Sequence, residues 1–210
     1  MYKIGDRYSF DYFVEEEYYD ARLTAIFEGF TQEKADEVLA EIYKVFGSTV
    51  YSLSDISLEE TVVELLYNKN LYLVTAESCT GGLVASSIVS VAGASSVFYE
   101  GLITYSNEAK ADRLGVSQRA LKEFGAVSAE VAAEMAIGGL KRRKNFISVS
   151  ITGIAGPSGG SESKPVGLVY FGVAGESGVK TYKHILDGNR DKIRKTAANT
   201  ALFYLIQNLK

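Results

Sequence analysis

Residues 71–83 read LYLVTAESCTGGL, and the reading of this stretch decides the fold. It opens apolar and β-branched, breaks at small and polar residues, and passes through Gly81-Gly82 into 83–91, a run that can be helical. That order predicts a buried strand, a tight turn and a helix start, where an α/β fold aims backbone N–H groups and a positive dipole end at an anionic ligand. Two hydroxyls, Ser78 and Thr80, and the only cysteine, Cys79, sit on the turn. A site is expected there.

Working outward, 210 residues with 47% hydrophobic content suffice for one well-buried domain and a small second unit. No apolar run reaches the ~18 residues of a membrane span, and the opening MYKIGDRYSF has no apolar core of signal-peptide type. A cytoplasmic protein without membrane association is expected. One cysteine cannot form an internal disulfide, and one histidine, His184, leaves no metal cluster, so no metal is expected. A net charge of -4 argues against a broad nucleic-acid surface, and no nucleic-acid partner is expected.

Residues 1–54 differ from the rest of the chain, being rich in Tyr, Phe and Glu and poor in glycine. Stretches 8–14 and 21–27 carry strand formers, 31–46 shows helical spacing behind a Thr31 N-cap, and 49–51 is a candidate third strand. The prediction is a small α+β module of β-β-α-β order, with Glu15-Glu16-Glu17 as a solvated loop. A unit of about 50 residues is marginal alone, so it is expected to pack on the main domain or on another copy.

The domain spanning 55–210 opens with Ser57-Leu-Glu-Glu60, a capping-box pattern for a helix to about 69. After the first strand and turn, strands are expected at 101–105, 146–151, 167–174 and 179–185. Helices are expected at 107–114, 118–124, 128–143 and 191–209. A glycine-rich loop occupies 152–160. Strands alternating with helices and ending in a hairpin predict a three-layer α/β/α fold with a mixed sheet.

TAESCTGG (75–82), ITYSNEAK (103–110), GAVS (125–128), ITGIAGPSGG (151–160) and KPVG (164–167) occur in this order. Together they resemble the C-terminal domain of the competence/damage-inducible CinA family, over about residues 57–208. The first 54 residues resemble the small middle module of longer CinA proteins. These 210 residues hold no counterpart of the long form's N-terminal molybdopterin-binding-like domain, so the ADP-ribose-cleaving activity attributed to it is not carried over. The resemblance implies hydrolysis of nicotinamide mononucleotide to nicotinate mononucleotide and ammonia, a small-molecule nucleotide substrate, no cofactor, and a homo-oligomer.

Amide hydrolysis needs a nucleophile, a proton acceptor that later serves the leaving amine, and donors for the tetrahedral oxyanion. Ser78 is the natural nucleophile, with backbone N–H groups of the turn as oxyanion donors. The alternative is a turn whose hydroxyls merely cap the next helix. Lys110 directly follows a predicted strand and is the candidate base, assisted by the Tyr105 phenol. Bringing a free lysine from about 10.4 to near 7 takes roughly three pKa units, about 4 kcal/mol. A solvated helix residue paired with an acid one turn away is the plain alternative for Lys110.

A rival arrangement makes Cys79 the nucleophile with His184 as partner, although a lone cysteine on such a turn is often a small buried hydrophobe, and His184 reads as an edge residue. Direct water attack, with Ser78 only positioning the amide, also stays open. For substrate binding the candidates are Glu77, Cys79, Thr80, Gly81 and Gly82 on the turn, Asn107, and Thr152, Gly153 and Gly156 on the glycine-rich loop. Arg190 is the phosphate-contact candidate, because it and Arg194 oppose the dipole at the start of the terminal helix. Glu77 could equally hold the turn by accepting backbone N–H bonds. The basic run 141–144 reads as a helix-end cap rather than a nucleic-acid contact. A binding or regulatory module without turnover is the competing functional class.

Overall fold

A computed structural model of the chain describes residues 11–17, 20–26, 31–53, 55–141 and 144–210. It divides into two units, the first ending at Asp55 and the second running from Ile56 to Lys210.

In the first unit β1 (Asp11–Glu17) and β2 (Asp20–Ile26) form an antiparallel ladder, with Asp11 opposite Ile26 and Glu17 opposite Asp20. Helix α1 (Gln32–Phe46) starts where Thr31 Oγ1 accepts from the Lys34 N–H, and it buries Val38 and Ile42, one turn apart on one face. Two expectations fail here. The acidic run 15–17 lies within β1, because the ladder continues through it to the Glu17–Asp20 pair. No strand forms at 49–51. A 3-10 turn, Gly47–Thr49, takes its place, and Thr49 Oγ1 donates to the Phe46 carbonyl at the helix end, a local bond that competes with an extended course.

The second unit opens with α2 (Leu58–Asn68). Its capping box is complete, the Glu60 N–H donating to Ser57 Oγ while the Ser57 N–H donates to Glu60 Oε2. There follow β3 (Tyr72–Glu77), α3 (Leu83–Val89), β4 (Phe98–Ile103), α4 (Asn107–Leu114), α5 (Gln118–Glu123) and α6 (Ala129–Leu140). The chain ends with β5 (Phe146–Gly153), β6 (Leu168–Gly175), β7 (Gly178–Ile185) and α7 (Arg190–Leu209). The strands make a mixed five-stranded sheet of order β4-β3-β5-β6-β7. Strand β3 pairs in parallel with β4 and β5, whereas β6 and β7 are added antiparallel. Strand β4 begins three residues earlier than expected, at Phe98.

Helices α2, α3 and α7 pack against one another, and α6 lies over β3, β5 and β6 with α4 and α5 against it. The central strands read as apolar runs because they are covered on both faces: Leu73, Val74 and Ala76 of β3 and Val149 and Ile151 of β5 are buried. Full burial of each such large side chain stabilises the fold by about 1.5–3 kcal/mol. Gly172 lets α6 approach the sheet, since a Cβ there would stand 2.6 Å from the Ala132 carbonyl oxygen. Among the described residues no helix is long and apolar enough to cross a membrane.

Candidate active site

Strand β3 ends at Glu77, and the parallel ladders set it opposite Ile103 of β4 and Ile151 of β5. The ladders run one residue further on each side, the Ser78 N–H donating to the Ile151 carbonyl and the Thr104 N–H to the Glu77 carbonyl. Ser78 and Thr104 therefore emerge together at the carboxyl ends of neighbouring parallel strands, where α/β sheets hold ligands. Helix α4 follows at once, its N-cap Ser106 Oγ accepting from the Ala109 N–H. Its first turn returns Lys110 toward the strand ends.

Lys110 Nζ donates to Ser78 Oγ at 3.0 Å, to the Thr104 carbonyl at 2.8 Å and to the Tyr105 carbonyl at 3.2 Å. It is 1% exposed and Ser78 is 8% exposed. Burial holds the Lys110 amine below the ordinary lysine value, with the nearby Cys79 thiol opposing that shift. Carbonyl oxygens can only accept, so a neutral amine gives its two N–H groups to Thr104 and Tyr105 and keeps its lone pair for the Ser78 hydroxyl. In that geometry the amine, when neutral, is placed to accept the Ser78 proton.

The turn is held from two sides. Glu77, fully buried, accepts the N–H groups of Gly82 at 2.8 Å, Val84 at 3.2 Å and Ala85 at 2.9 Å. Its oxygens are occupied by the start of α3, so the substrate role expected for it gives way to the holding role. On the other side Arg194, half-buried on α7, donates through Nε to the Cys79 carbonyl at 3.1 Å and through Nη2 to the Thr80 carbonyl at 2.8 Å. Gly81 and Gly82 take φ of 62° and 96°, left-handed values that few other residues adopt cheaply. The Thr80 hydroxyl is buried and has no hydrogen-bond partner among the described residues.

Cys79 is buried on the same turn, and burial pushes its thiol up to about 12. His184 lies on the edge strand β7 and bonds the Tyr204 hydroxyl of α7. The rival Cys79–His184 partnership is not formed, His184 being paired with Tyr204.

Tyr105 makes contacts through both its carbonyl and its phenol. Its carbonyl holds Lys110, while its phenol, on a 62% exposed side chain, accepts from Arg190 Nη2 at 3.2 Å. Arg190 Nη1 donates to the Gly156 carbonyl at 2.8 Å, so this guanidinium ties Tyr105 to the glycine-rich loop. Thr152 Oγ1 donates to the Ala126 carbonyl, and a Cβ at Gly153 would stand 2.8 Å from Val169 Cγ2. Lys164 Nζ donates to the Phe124 and Val127 carbonyls, fastening the far end of the loop. Asn107 is exposed at the first position of α4. Lys141 caps α6 in a left-handed conformation, and residues 142–143 of the basic run lie outside the described residues. Arg194 is the site residue that sequence reasoning passed over, although its one-turn spacing from Arg190 was visible.

A mixed α/β sheet carrying a buried serine–lysine pair at the carboxyl ends of its parallel strands defines the class of this protein. The chain belongs to the CinA C-terminal domain family, whose pattern matches residues 55–209. It is 53% identical over 180 residues to a CinA-like protein of Kosmotoga olearia, an alignment covering 83% of this chain and 43% of that one. The competence/damage inducible protein CihA of Agrobacterium tumefaciens superposes with a TM-score of 0.67 at 42% identity, over 74% of this chain and 98% of that one. A CinA superfamily protein of Escherichia coli superposes with a TM-score of 0.67 at 32% identity, over 78% and 98% of the two chains. The chain spans less than half the length of the curated relatives it matches.

Proposed function

We propose that the chain is an amidohydrolase that converts nicotinamide mononucleotide to nicotinate mononucleotide and ammonia, with Ser78 as nucleophile. The observation that carries the chemistry is the 3.0 Å contact between Lys110 Nζ and Ser78 Oγ in a buried site. The choice of substrate rests on the five motifs that resemble the CinA family.

In the first half-reaction Lys110, as a neutral amine, takes the Ser78 proton while Oγ attacks the carboxamide carbon. The charge that develops on the amide oxygen falls to N–H donors of the turn. The Lys110 ammonium then gives its proton to the departing nitrogen, the C–N bond breaks, and ammonia leaves an acyl group on Ser78. Water attacks this acyl carbon in the second half, losing its proton to Lys110, and Ser78 departs as the restored hydroxyl. No cofactor or metal enters this scheme, and the reaction is assigned to the cytoplasm.

Incubating the protein with nicotinamide mononucleotide and assaying ammonia tests the reading. Ammonia and nicotinate mononucleotide are expected in equal amounts, and none from Ser78→Ala. A folded wild-type protein that releases no ammonia would leave only a binding module. An acyl adduct trapped on Ser78 supports covalent catalysis, and turnover without one turns the reading toward direct water attack.

A further inference from the structure

We infer that Arg194 is a positioning residue that orients and polarises the Cys79–Thr80 peptide so that the Thr80 N–H meets the oxyanion. The inference rests on the serine-nucleophile reading above and names the device that makes the turn receptive to negative charge.

Two observations carry it. Arg194 spends its donors on backbone rather than on an acid. Its helix neighbours Lys192 and Lys195 pair with Asp187 and Asp191, whereas no carboxylate among the described residues pairs with Arg194. Its Nε and Nη2 instead reach the carbonyls of Cys79 and Thr80, across 115 and 114 residues of chain.

In a trans peptide the C=O and N–H point in opposite directions. A guanidinium holding the Cys79 carbonyl therefore turns the Thr80 N–H away from α7. The next N–H, on Gly81, is already given to the Ser78 carbonyl. Among the described residues no oxygen takes the N–H of Cys79 or Thr80. Both of these N–H groups act on the Cys79 sulfur, a weak acceptor that leaves them available to an oxyanion. Drawing electron density toward the carbonyl oxygen makes the N–H of the same peptide a stronger donor.

The second reason is charge balance. The buried Glu77 carboxylate lies under the same turn, and its field disfavours another anion nearby, as its effect on Cys79 shows. The Arg194 guanidinium, held on two carbonyls of the turn, adds a positive charge beside it. Thr80 Oγ1, buried and unpartnered among the described residues, is a further donor at the same position in the chain.

The test is the rate at which a fluorophosphonate labels Ser78, because phosphonylation builds charge on an oxygen held by the same donors and needs no knowledge of the natural substrate. Ser78→Ala is the blank, and Arg194→Met and Arg194→Lys are compared with wild type at matched thermal stability. Arg194→Met should label about 100-fold more slowly, as loss of one oxyanion donor does elsewhere. Arg194→Lys, with a charge but a single point of contact, should recover part of the loss.

The pH midpoint of labelling, which reports Lys110, should stay put while the plateau falls; a general loosening of the site would move both. Labelling of Arg194→Met at the wild-type rate overturns the inference. If Arg194→Met does not fold, Arg194→Lys and Arg194→Gln decide by the same criterion, the lysine expected to label faster than the glutamine. Failure to label wild-type Ser78 overturns both this inference and the serine mechanism. Labelling without ammonia release from nicotinamide mononucleotide overturns the substrate assignment alone.

Discussion

Lys110 Nζ and Ser78 Oγ stand 3.0 Å apart across 32 residues of chain, and the amine's remaining contacts are two main-chain carbonyls. No carboxylate among the described residues pairs with this amine, and burial outweighs the opposing Cys79 thiol in setting the direction in which its proton affinity moves.

The first prediction concerns pH. Burial lowers the folded pKa of Lys110 below 10.5, so the neutral amine that accepts the Ser78 proton is formed as pH rises. Ammonia release should climb along one ionisation with a midpoint below 10.5 and be absent in Lys110→Arg, whose guanidinium stays charged. Between the folded pKa and 10.5 the unfolded chain carries the extra proton, so stability contributed by this group increases with pH across that window and is lower beneath it. Lys110→Met should remove that component from the pH dependence of the melting temperature. A rate that falls with rising pH below 10 would sink the assignment.

Cys79 should be dispensable for the chemistry. With its thiol pushed up to about 12 it is protonated at neutral pH and shielded by burial. Cys79→Ala should keep turnover within a few-fold of wild type, and iodoacetamide at pH 8 should leave the folded protein unmodified. Loss of activity in a well-folded Cys79→Ala would revive the thiol mechanism.

Glu77 is predicted to act on stability first. Removing its carboxylate strands three N–H groups at the start of α3. Hydrogen bonds to charged groups contribute about 1.5–3 kcal/mol each, so Glu77→Ala should cost about 3 kcal/mol or more and Glu77→Gln less. Urea unfolding measures this directly, and an unshifted midpoint for Glu77→Ala would contradict the holding role.

Tyr105 should tolerate loss of its hydroxyl. Its carbonyl holds Lys110 and survives in Tyr105→Phe, which forfeits only the phenol contact with Arg190. We expect kcat within about threefold of wild type, with KM rising as Arg190 and Gly156 lose a tie to the strand edge. A hundred-fold fall in kcat would mean that the phenol handles a proton.

Much of this protein was legible in one dimension because its signals are local. Ser57, Ser106, Ser117 and Ser128 each cap a helix through a bond to an N–H three residues on. The apolar 72–77 stretch bounded by small residues marks a strand between two covered faces, and Gly81-Gly82 marks the left-handed turn after it. From these come the α/β class, the mixed sheet and the turn on which Ser78 stands. Expectations failed where local preference met a specific competitor: Thr49 bonded back to Phe46 and no strand formed, and the acidic 15–17 run was drawn into a ladder.

Partnership was decided only in three dimensions. That Lys110 points at Ser78, that Glu77 spends its oxygens on α3, that Tyr105 serves through its carbonyl, and that Arg190 and Arg194 reach main-chain oxygens are consequences of which strand ends and helix starts lie side by side. A side chain's identity limits what bonds it can make, but the acceptor it finds is set by segments that approach from far along the chain. Sequence therefore determined the turn and the groups it carries, and packing of α4 and α7 against it determined which of those groups meet.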